Sequence, residues 1–273
     1  MPELLCPVCA HALTFEKSVC VCPEGHRFDR ARSGYVNLLI SRQSGSQHGD
    51  DREMVRARRD FLQTGHYEPL RRVLCAAVLR CAPEGAVDLL DAGCGECYYT
   101  AAAAETLRAA GRTVSAAGVD ISKDALRFGG KRSAGISLAV ASVFHLPVAD
   151  ASCDLVLNIF APFAGEEYRR VLRRGGVVLQ AAPGAGHLWE LKQAVYDTPY
   201  RNDAAAPCAE GLTLASEETL RYALELNSHQ EIADLFAMTP YAHKTGPSDA
   251  ARLNALERLS VGAEFILRIY RNE

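Results

Sequence analysis

Val87-Asp88-Leu89-Leu90-Asp91-Ala92-Gly93-Cys94-Gly95-Glu96 is the stretch on which the fold turns. Its first five residues form a short apolar run that closes on a carboxylate, the pattern of a strand. Gly93 and Gly95 follow, and without a Cβ they let the backbone approach a ligand closely. Helix-forming residues then run from Tyr98 to Ala109. Strand, glycine turn and helix in that order read as the opening of an α/β sheet, which binds ligands at the carboxyl ends of its strands.

Nucleotide-binding dehydrogenases share such a turn, so the continuation has to separate the readings. Val114 to Val119 reads as a second strand ending in Asp120, 25 residues beyond Gly95. A carboxylate there can accept both hydroxyls of a ribose. The turn lacks the Gly-x-Gly-x-x-Gly form that cradles a pyrophosphate, because Tyr98 stands three residues past Gly95. A ligand with a ribose and no phosphates fits better, and S-adenosylmethionine is such a ligand.

The rest of the chain alternates as this fold requires. Ile136 to Ala141 is a third strand, ending near Ser142, and Asp154 to Ile159 is a fourth, leading into Phe160-Ala161-Pro162. Glu166 to Leu172 reads as a helix, Gly175-Gly176 as a turn and Val177 to Ala181 as a fifth strand. Two further strands are expected around Thr213–Leu226 and Glu264–Tyr270, with helices at Gln230–Phe236 and Ser248–Leu259. The expectation is an α/β class I S-adenosylmethionine methyltransferase over residues 66–273, with a Rossmann-like seven-stranded sheet and a final antiparallel hairpin. Asp91, Gly93, Gly95, Asp120 and Ser142 are its expected cofactor-binding residues.

Ahead of this body, Cys6-x2-Cys9 and Cys22-x3-His26 have the spacing of two metal-binding turns. Pro7, Pro23 and Gly25 suit tight knuckles. Cys20 is an alternative to Cys22 with a poorer offset to His26, and His11 is a weaker fifth candidate. Leu13–Phe15 and Ser18–Val21 suit a short hairpin. About forty residues are too few for a stable apolar core, so a structural zinc ion also explains how residues 1–40 fold. Residues 41–65 read as a linker and a helix. Ser41 to Gly49 is polar, Asp50 has the look of an N-cap, and Met54, Val55, Arg58, Phe61 and Leu62 recur at helical spacing. Gly65 should end that helix, and Glu68–Cys81 should form the next.

Composition limits the classes. The chain has 273 residues, 48% hydrophobic and 23% charged, with a net charge of −3, which suits one sizeable soluble domain plus a small one. It does not suit a protein that coats nucleic acid non-specifically. From Arg27 to Arg59, however, eight arginines face four acids, a balance that serves either a polyanion or a solvated helix face. The first nine residues do not resemble a signal peptide, and no apolar run is long enough to span a membrane. A cytoplasmic protein is expected. Ten cysteines in such a chain read as thiols or metal ligands rather than disulfides.

Taken together, the markers resemble the 23S ribosomal RNA (guanine-N1)-methyltransferase family over nearly the full length. They are Cys6-Pro7-x-Cys9, Cys22-Pro23-x2-His26-x-Phe28-Asp29, Gly34-Tyr35-Val36-Asn37-Leu38-Leu39, Gly49-Asp50, Arg58-Arg59 and Gly65-His66-Tyr67. Asp91-x-Gly93-Cys94-Gly95-Glu96-x-Tyr98-Tyr99-Thr100 and His187-Leu188-x-Glu190-Leu191-Lys192 complete the set. Cys97 stands where the family pattern often has glycine. The resemblance implies that Cys6, Cys9, Cys22 and His26 hold zinc and that the zinc module helps grip an RNA hairpin. It implies cofactor contacts from Tyr67, Gly95, Glu96 and His187, with Asp120 on the ribose. The implied reaction methylates guanine N1 in a hairpin of 23S rRNA, and a homodimer with two zinc modules flanking one RNA fits the family.

Methyl transfer from a sulfonium is an in-line displacement, for which the protein mainly supplies position. Guanine N1 carries a proton that some group or water must accept, and pairing hides it, so an unpaired or flipped base is expected. No residue stands out as the catalytic group. Glu190 and His187 are the candidates for the base, and Asn158 for a hydrogen bond to the guanine edge. Tyr35, Phe160, Phe163 and Trp189 are stacking candidates, each equally readable as a core aromatic. Arg58 and Arg59 are expected to face RNA rather than the cofactor. Two other readings compete: a small-molecule methyltransferase with an accessory zinc module, and a non-catalytic RNA-binding protein that retains the cofactor fold.

Overall fold

The computed structural model describes residues 2–39, 49–130, 132, 134–242 and 245–273. The polar stretch 41–48, read above as linker, lies outside them.

Strand β5 (Ala86–Ala92) is the run that opened the reading, and it sits in mid-sheet. Its side chains alternate between two layers. Val87 and Leu89 enter one buried cluster, while Leu90 and Ala92 enter the other, as the two-residue period of a strand dictates. Parallel neighbours flank it, β6 (Thr113–Asp120) and β8 (Cys153–Ile159). Beyond β6 lies β7 (Ile136–Val140). Beyond β8 lie β9 (Leu172–Pro183), then β11 (Leu259–Asn272) and β10 (Leu212–Leu226), the last two forming an antiparallel hairpin. This is the expected seven-stranded class I arrangement.

An eighth strand was not expected. β4 (Val36–Asn37) joins the outer edge of the sheet in parallel with β7, pairing Val36 with Ala139 and Asn37 with Val140. It continues the front module, whose hairpin β1 (Thr14–Phe15) and β2 (Val19–Val21) gains a third strand, β3 (Arg27–Asp29). Leu4 bridges to Val148, and Leu5 N–H donates to the Pro147 carbonyl at 2.8 Å. Leu4, Cys6, Leu13, Cys20 and Cys22 share one buried cluster with Leu90, Val119 and Val156 of the sheet.

The other layer is covered by α1 (Arg52–Gln63), α2 (Glu68–Cys81), α3 (Tyr98–Ala109) and α7 (His229–Ala237). α2 and α3 have the bounds read from the sequence. α1 is capped by Asp51, which accepts from Met54 N–H at 2.9 Å. Asp50 was the expected cap, but its carboxylate is taken by Arg58. α4 (Lys123–Gly129) was not read; Ser122, accepting from Ala125 N–H, is its cap. α5 (Gly165–Val171), α6 (Trp189–Val195) and α8 (Pro247–Asn254) complete the set, α8 ending well short of the Leu259 expected. β9 starts at Leu172 rather than Val177. It runs through the glycine pair read as a turn, with a register shift against β8 between Cys153 and Leu155.

Leu38 is 2% exposed and lies in the cluster shared by module and sheet. Leu38→Ala should cost about 2–5 kcal/mol, the usual range for such a truncation. Urea unfolding should show one shifted transition. A separate early transition of the module alone would mean that the shared core carries no stability.

Candidate functional site

The carboxyl ends of β5 and β6 lie level, with Ala92 paired to Val119. The chain leaving β5 folds across to its neighbour: Gly93 N–H and Cys94 N–H both donate to the Val119 carbonyl, at 2.8 and 3.0 Å. Gly95 N–H then donates to Asp120 Oδ2 and Ser122 N–H to Oδ1, each at 2.8 Å. This path needs left-handed backbone at Gly93 (φ 96°), Gly95 (φ 52°) and Cys97 (φ 62°), a conformation that is costly for a residue with a side chain, such as Cys97, and free for glycine.

Asp91 is buried, and Thr100 Oγ1 donates to its Oδ2 at 2.5 Å. Burial pushes its carboxyl up to about 7, against the pull of the Thr100 hydrogen bond and with help from the Asp120 charge. Burial raises Asp120 as well, opposed by the two N–H donors. Glu96, 2% exposed, lies 3.9 Å from Arg58 Nε and 4.0 Å from Arg132 Nη1. Asp91 Oδ1, Glu96 Oε1, Tyr99 Oη, Arg58 Nε and Arg132 Nη1 are all buried and have no hydrogen-bond partner among the described residues. Buried polar atoms are nearly always partnered, so this loop has the makings of a site for a polar ligand. Carboxylates, guanidiniums and a glycine turn suit the amino-acid end and ribose of S-adenosylmethionine. Ser142, at the end of β7, accepts from Phe144 N–H at 3.2 Å.

A ring of aromatics borders this loop. Phe160 follows β8 with φ 55° and 44% of its surface exposed. Left-handed backbone is a true outlier for so bulky a residue, and such strain gathers at functional sites. Tyr67, Tyr99 and Phe265 lie 6.4, 6.3 and 5.6 Å from its ring. His187 is 6% exposed and burial pushes it down to about 3, so it is neutral. Its Nδ1 accepts from Glu264 N–H at 3.2 Å, which leaves the proton on Nε2, 3.4 Å from the Tyr67 hydroxyl. With its free lone pair engaged, His187 is poorly placed to act as a base.

Several sequence candidates stand elsewhere. The Asn158 amide donates to the Ala161 and Pro162 carbonyls at 3.2 and 3.1 Å and meets Tyr168 and Gln180, so it holds the loop below Phe160. Glu190 accepts from Gly262 N–H at 2.8 Å. Phe163 packs between Tyr168 and Tyr270, and Tyr35 packs on the large core cluster. Arg58 and Arg59 have separate partners. Arg58 binds Asp50 and reaches over Gly95 and Glu96, while Arg59 binds Asp60 at 2.6 Å and lies 5.0 Å from the Phe128 ring. Arg132 and Tyr99 were not picked out. Tyr99 sat inside the quoted motif, whereas nothing in the order of residues marks Arg132.

At the other end of the chain the metal-binding turns close on each other. Cys6, Cys9, Cys22 and His26 bring their ligand atoms within 4.8 Å of one another. Cys9 Sγ is 3.5 Å from Cys22 Sγ, which is 3.3 Å from His26 Nδ1. The turns are built by Ala10 N–H to the Cys6 carbonyl and Gly25 N–H to the Cys22 carbonyl, with left-handed backbone at Ala10 and Gly25. Three thiolates and an imidazole at this spacing are a tetrahedral zinc set. Cys20 and His11 stand outside it.

Comparison with known proteins fits both halves. The zinc-ribbon family model described as "RlmA, N-terminal" matches residues 4–47, and one described as "Methyltransferase domain" matches residues 89–182. The 23S rRNA (guanine(748)-N(1))-methyltransferase of Streptomyces fradiae is 36% identical, over 91% of this chain and 89% of its own. The chain belongs to the 23S rRNA (guanine-N1)-methyltransferase family. A Micromonospora griseorubida protein named for the same guanine-N1 chemistry is 35% identical over 99% of this chain and 98% of its own. A Bacillus subtilis relative is 31% identical over 91% of this chain.

As a member of that family the chain is an enzyme that uses S-adenosylmethionine and carries a zinc ribbon. The four-ligand set leaves no open position for chemistry, so the metal is structural. Elemental analysis should find one zinc per chain. Cys22→Ala should remove most of it and lower the thermal midpoint. Full zinc retention by this variant would transfer the ligand role to Cys20.

Proposed function

We propose that this chain transfers the methyl group of S-adenosylmethionine to N1 of a guanine in a 23S rRNA hairpin. The observation that carries the reading is the shared core: zinc ribbon and cofactor turn are fixed to one sheet, in a chain related over 91% of its length to an enzyme of that name. Residues 1–40 act as the RNA-gripping module, 41–65 as connector and 66–273 as the catalytic body. A homodimer with two ribbons about one hairpin belongs to the same proposal. Among the described residues no helix is long and apolar enough to cross a membrane.

S-adenosylmethionine supplies an electrophilic methyl on a sulfonium. Asp120 would accept from the ribose hydroxyls, using the second lone pair on each oxygen. Asp91 Oδ1 would accept from the ammonium of the methionine end, and Gly93, Gly95, Glu96 and Ser142 would complete the cofactor site. Tyr67 and His187 close the wall, His187 as a positioning residue. Phe160 would stack on the extruded guanine and position its N1 for methylation. The proton leaving N1 passes to water, since the His187 lone pair is taken by Glu264 N–H and Glu190 is bound to Gly262 N–H in the hollow beside Trp189.

Primer extension on rRNA from cells with and without the gene tests the reaction, because N1-methylguanine cannot pair and halts reverse transcription. A stop that vanishes with the gene identifies the guanine. No difference, with the protein expressed, sinks the rRNA assignment and favours a metabolite substrate.

The role of Asp91 has a pH signature. Its raised pKa means that the folded, ligand-free protein holds this proton more tightly than the unfolded chain. The resulting stability is complete below the unfolded value and declines as pH rises toward about 7. An ammonium requires the carboxylate, so cofactor binding should expel the proton. Affinity for S-adenosylmethionine should rise between pH 5.5 and 7, approaching about tenfold per unit at the acid end. Calorimetry should show proton release that Asp91→Asn abolishes. A flat pH profile in the wild type would place the ammonium elsewhere.

A further inference from the structure

Beyond His187, a second hollow of about 600 Å³ opens between α6 and the start of β11. Its walls include Trp189, Glu190, Arg201, Arg221, Tyr222 and Glu264, and the volume is in the range of small-ligand sites. The Arg201 guanidinium lies over the Trp189 ring, 4.5 Å from its centroid. Arg201 is exposed and makes no ion pair among the described residues, so its outer face is open. Arg221 is held by Glu264 at 2.9 Å. Glu190 spends Oε2 on Gly262 N–H, and its Oε1 makes no hydrogen bond among the described residues.

We propose that this cleft is a subsite for one unpaired nucleobase of the RNA, next to the guanine that is methylated. The inference rests on the proposed rRNA reaction. A flat guanidinium on an indole is a stacking platform, and every base offers it a π-face. With Arg221 paired to Glu264, Arg201 is balanced by Glu190, so the hollow holds no net positive charge to attract a phosphate. Glu190 Oε1 instead suits the exocyclic amino donors of a base edge, which guanine, adenine and cytosine carry and uracil lacks. The cleft is also adjacent to the reaction mouth. The Phe265 ring packs on His187 at 4.7 Å, on Phe160 at 5.6 Å and on the cleft wall Tyr222 at 6.1 Å. One ring therefore separates the two base positions, and filling the second selects which guanine enters the first.

Trp189 is the chain's single tryptophan, so the unaltered protein reports on its own cleft. The zinc-loaded enzyme is titrated with a hairpin RNA fragment from 23S rRNA, with Trp189 emission followed alongside the anisotropy of end-labelled RNA. Quenching in step with the anisotropy is the expected result. Trp189→Ala and Arg201→Ala should each weaken RNA binding by about 5- to 100-fold, with Trp189→Phe recovering most of the loss. Thermal melting and zinc content establish that the variants are folded. Binding without any change in emission, together with unchanged affinity in Trp189→Ala, overturns the subsite and leaves the methylation reading intact. Failure of the wild type to bind or methylate the hairpin removes both.

Discussion

The hydrogen bond from Gly95 N–H to Asp120 is the constraint on which the rest of the site depends. It exists because β5 and β6 end level, so the turn leaving one strand is bound by the carbonyl and carboxylate ending the other. With the turn tied down, Asp91 Oδ1 and Glu96 Oε1 stay buried and make no hydrogen bond among the described residues. The backbone bears the strain, since Cys97 must take a left-handed conformation that glycine adopts freely. A destabilised, preorganised loop of this kind gains what it lacks when a ligand supplies the missing donors.

The second structural theme is the way the front module is held. Some forty residues cannot bury enough apolar surface to fold alone. Here the deficit is met from two sides, by a metal-binding cluster and by a core shared with the sheet. Leu4 and Leu13 pack with Leu90, Val119 and Val156, while β4 extends the sheet past β7. The ribbon is thereby fixed to the strands whose carboxyl ends form the cofactor loop. That geometry suits an enzyme whose substrate is large enough to touch both.

Much of this was legible in the residues. The zinc set followed from the spacing of four ligands, and α2 and α3 from helical periodicity after Gly65 and after the glycine turn. The misses share one cause, which is that tertiary partners decide between locally equal options. Asp50 and Asp51 are equivalent N-caps until Arg58 claims the first. Gly175-Gly176 reads as a turn, yet β9 runs through it from Leu172, which pairs with Cys153, to Val177, which pairs with Leu155 and Arg271. A count of arginines cannot reveal that Arg58 turns inward over Gly95 while Arg59 stays with Asp60. α4 is seven residues long, too short for its periodicity to be read.

The chemistry of the site follows from where its charges are. Its carboxylates, Asp91, Glu96 and Asp120, gather at the cofactor turn, whereas the mouth is walled by Tyr67, Phe160, Phe265 and a neutral His187. A displacement at a sulfonium gains most from alignment and exclusion of water, and little from a strong base. An imidazole held near pKa 3 by burial, with one nitrogen accepting from the backbone and the other facing Tyr67, is suited to fixing a wall. It is poorly suited to carrying a proton. The arrangement thus favours an enzyme whose rate depends on how well the guanine is seated, which places the burden of selectivity on the surfaces that grip the RNA around it.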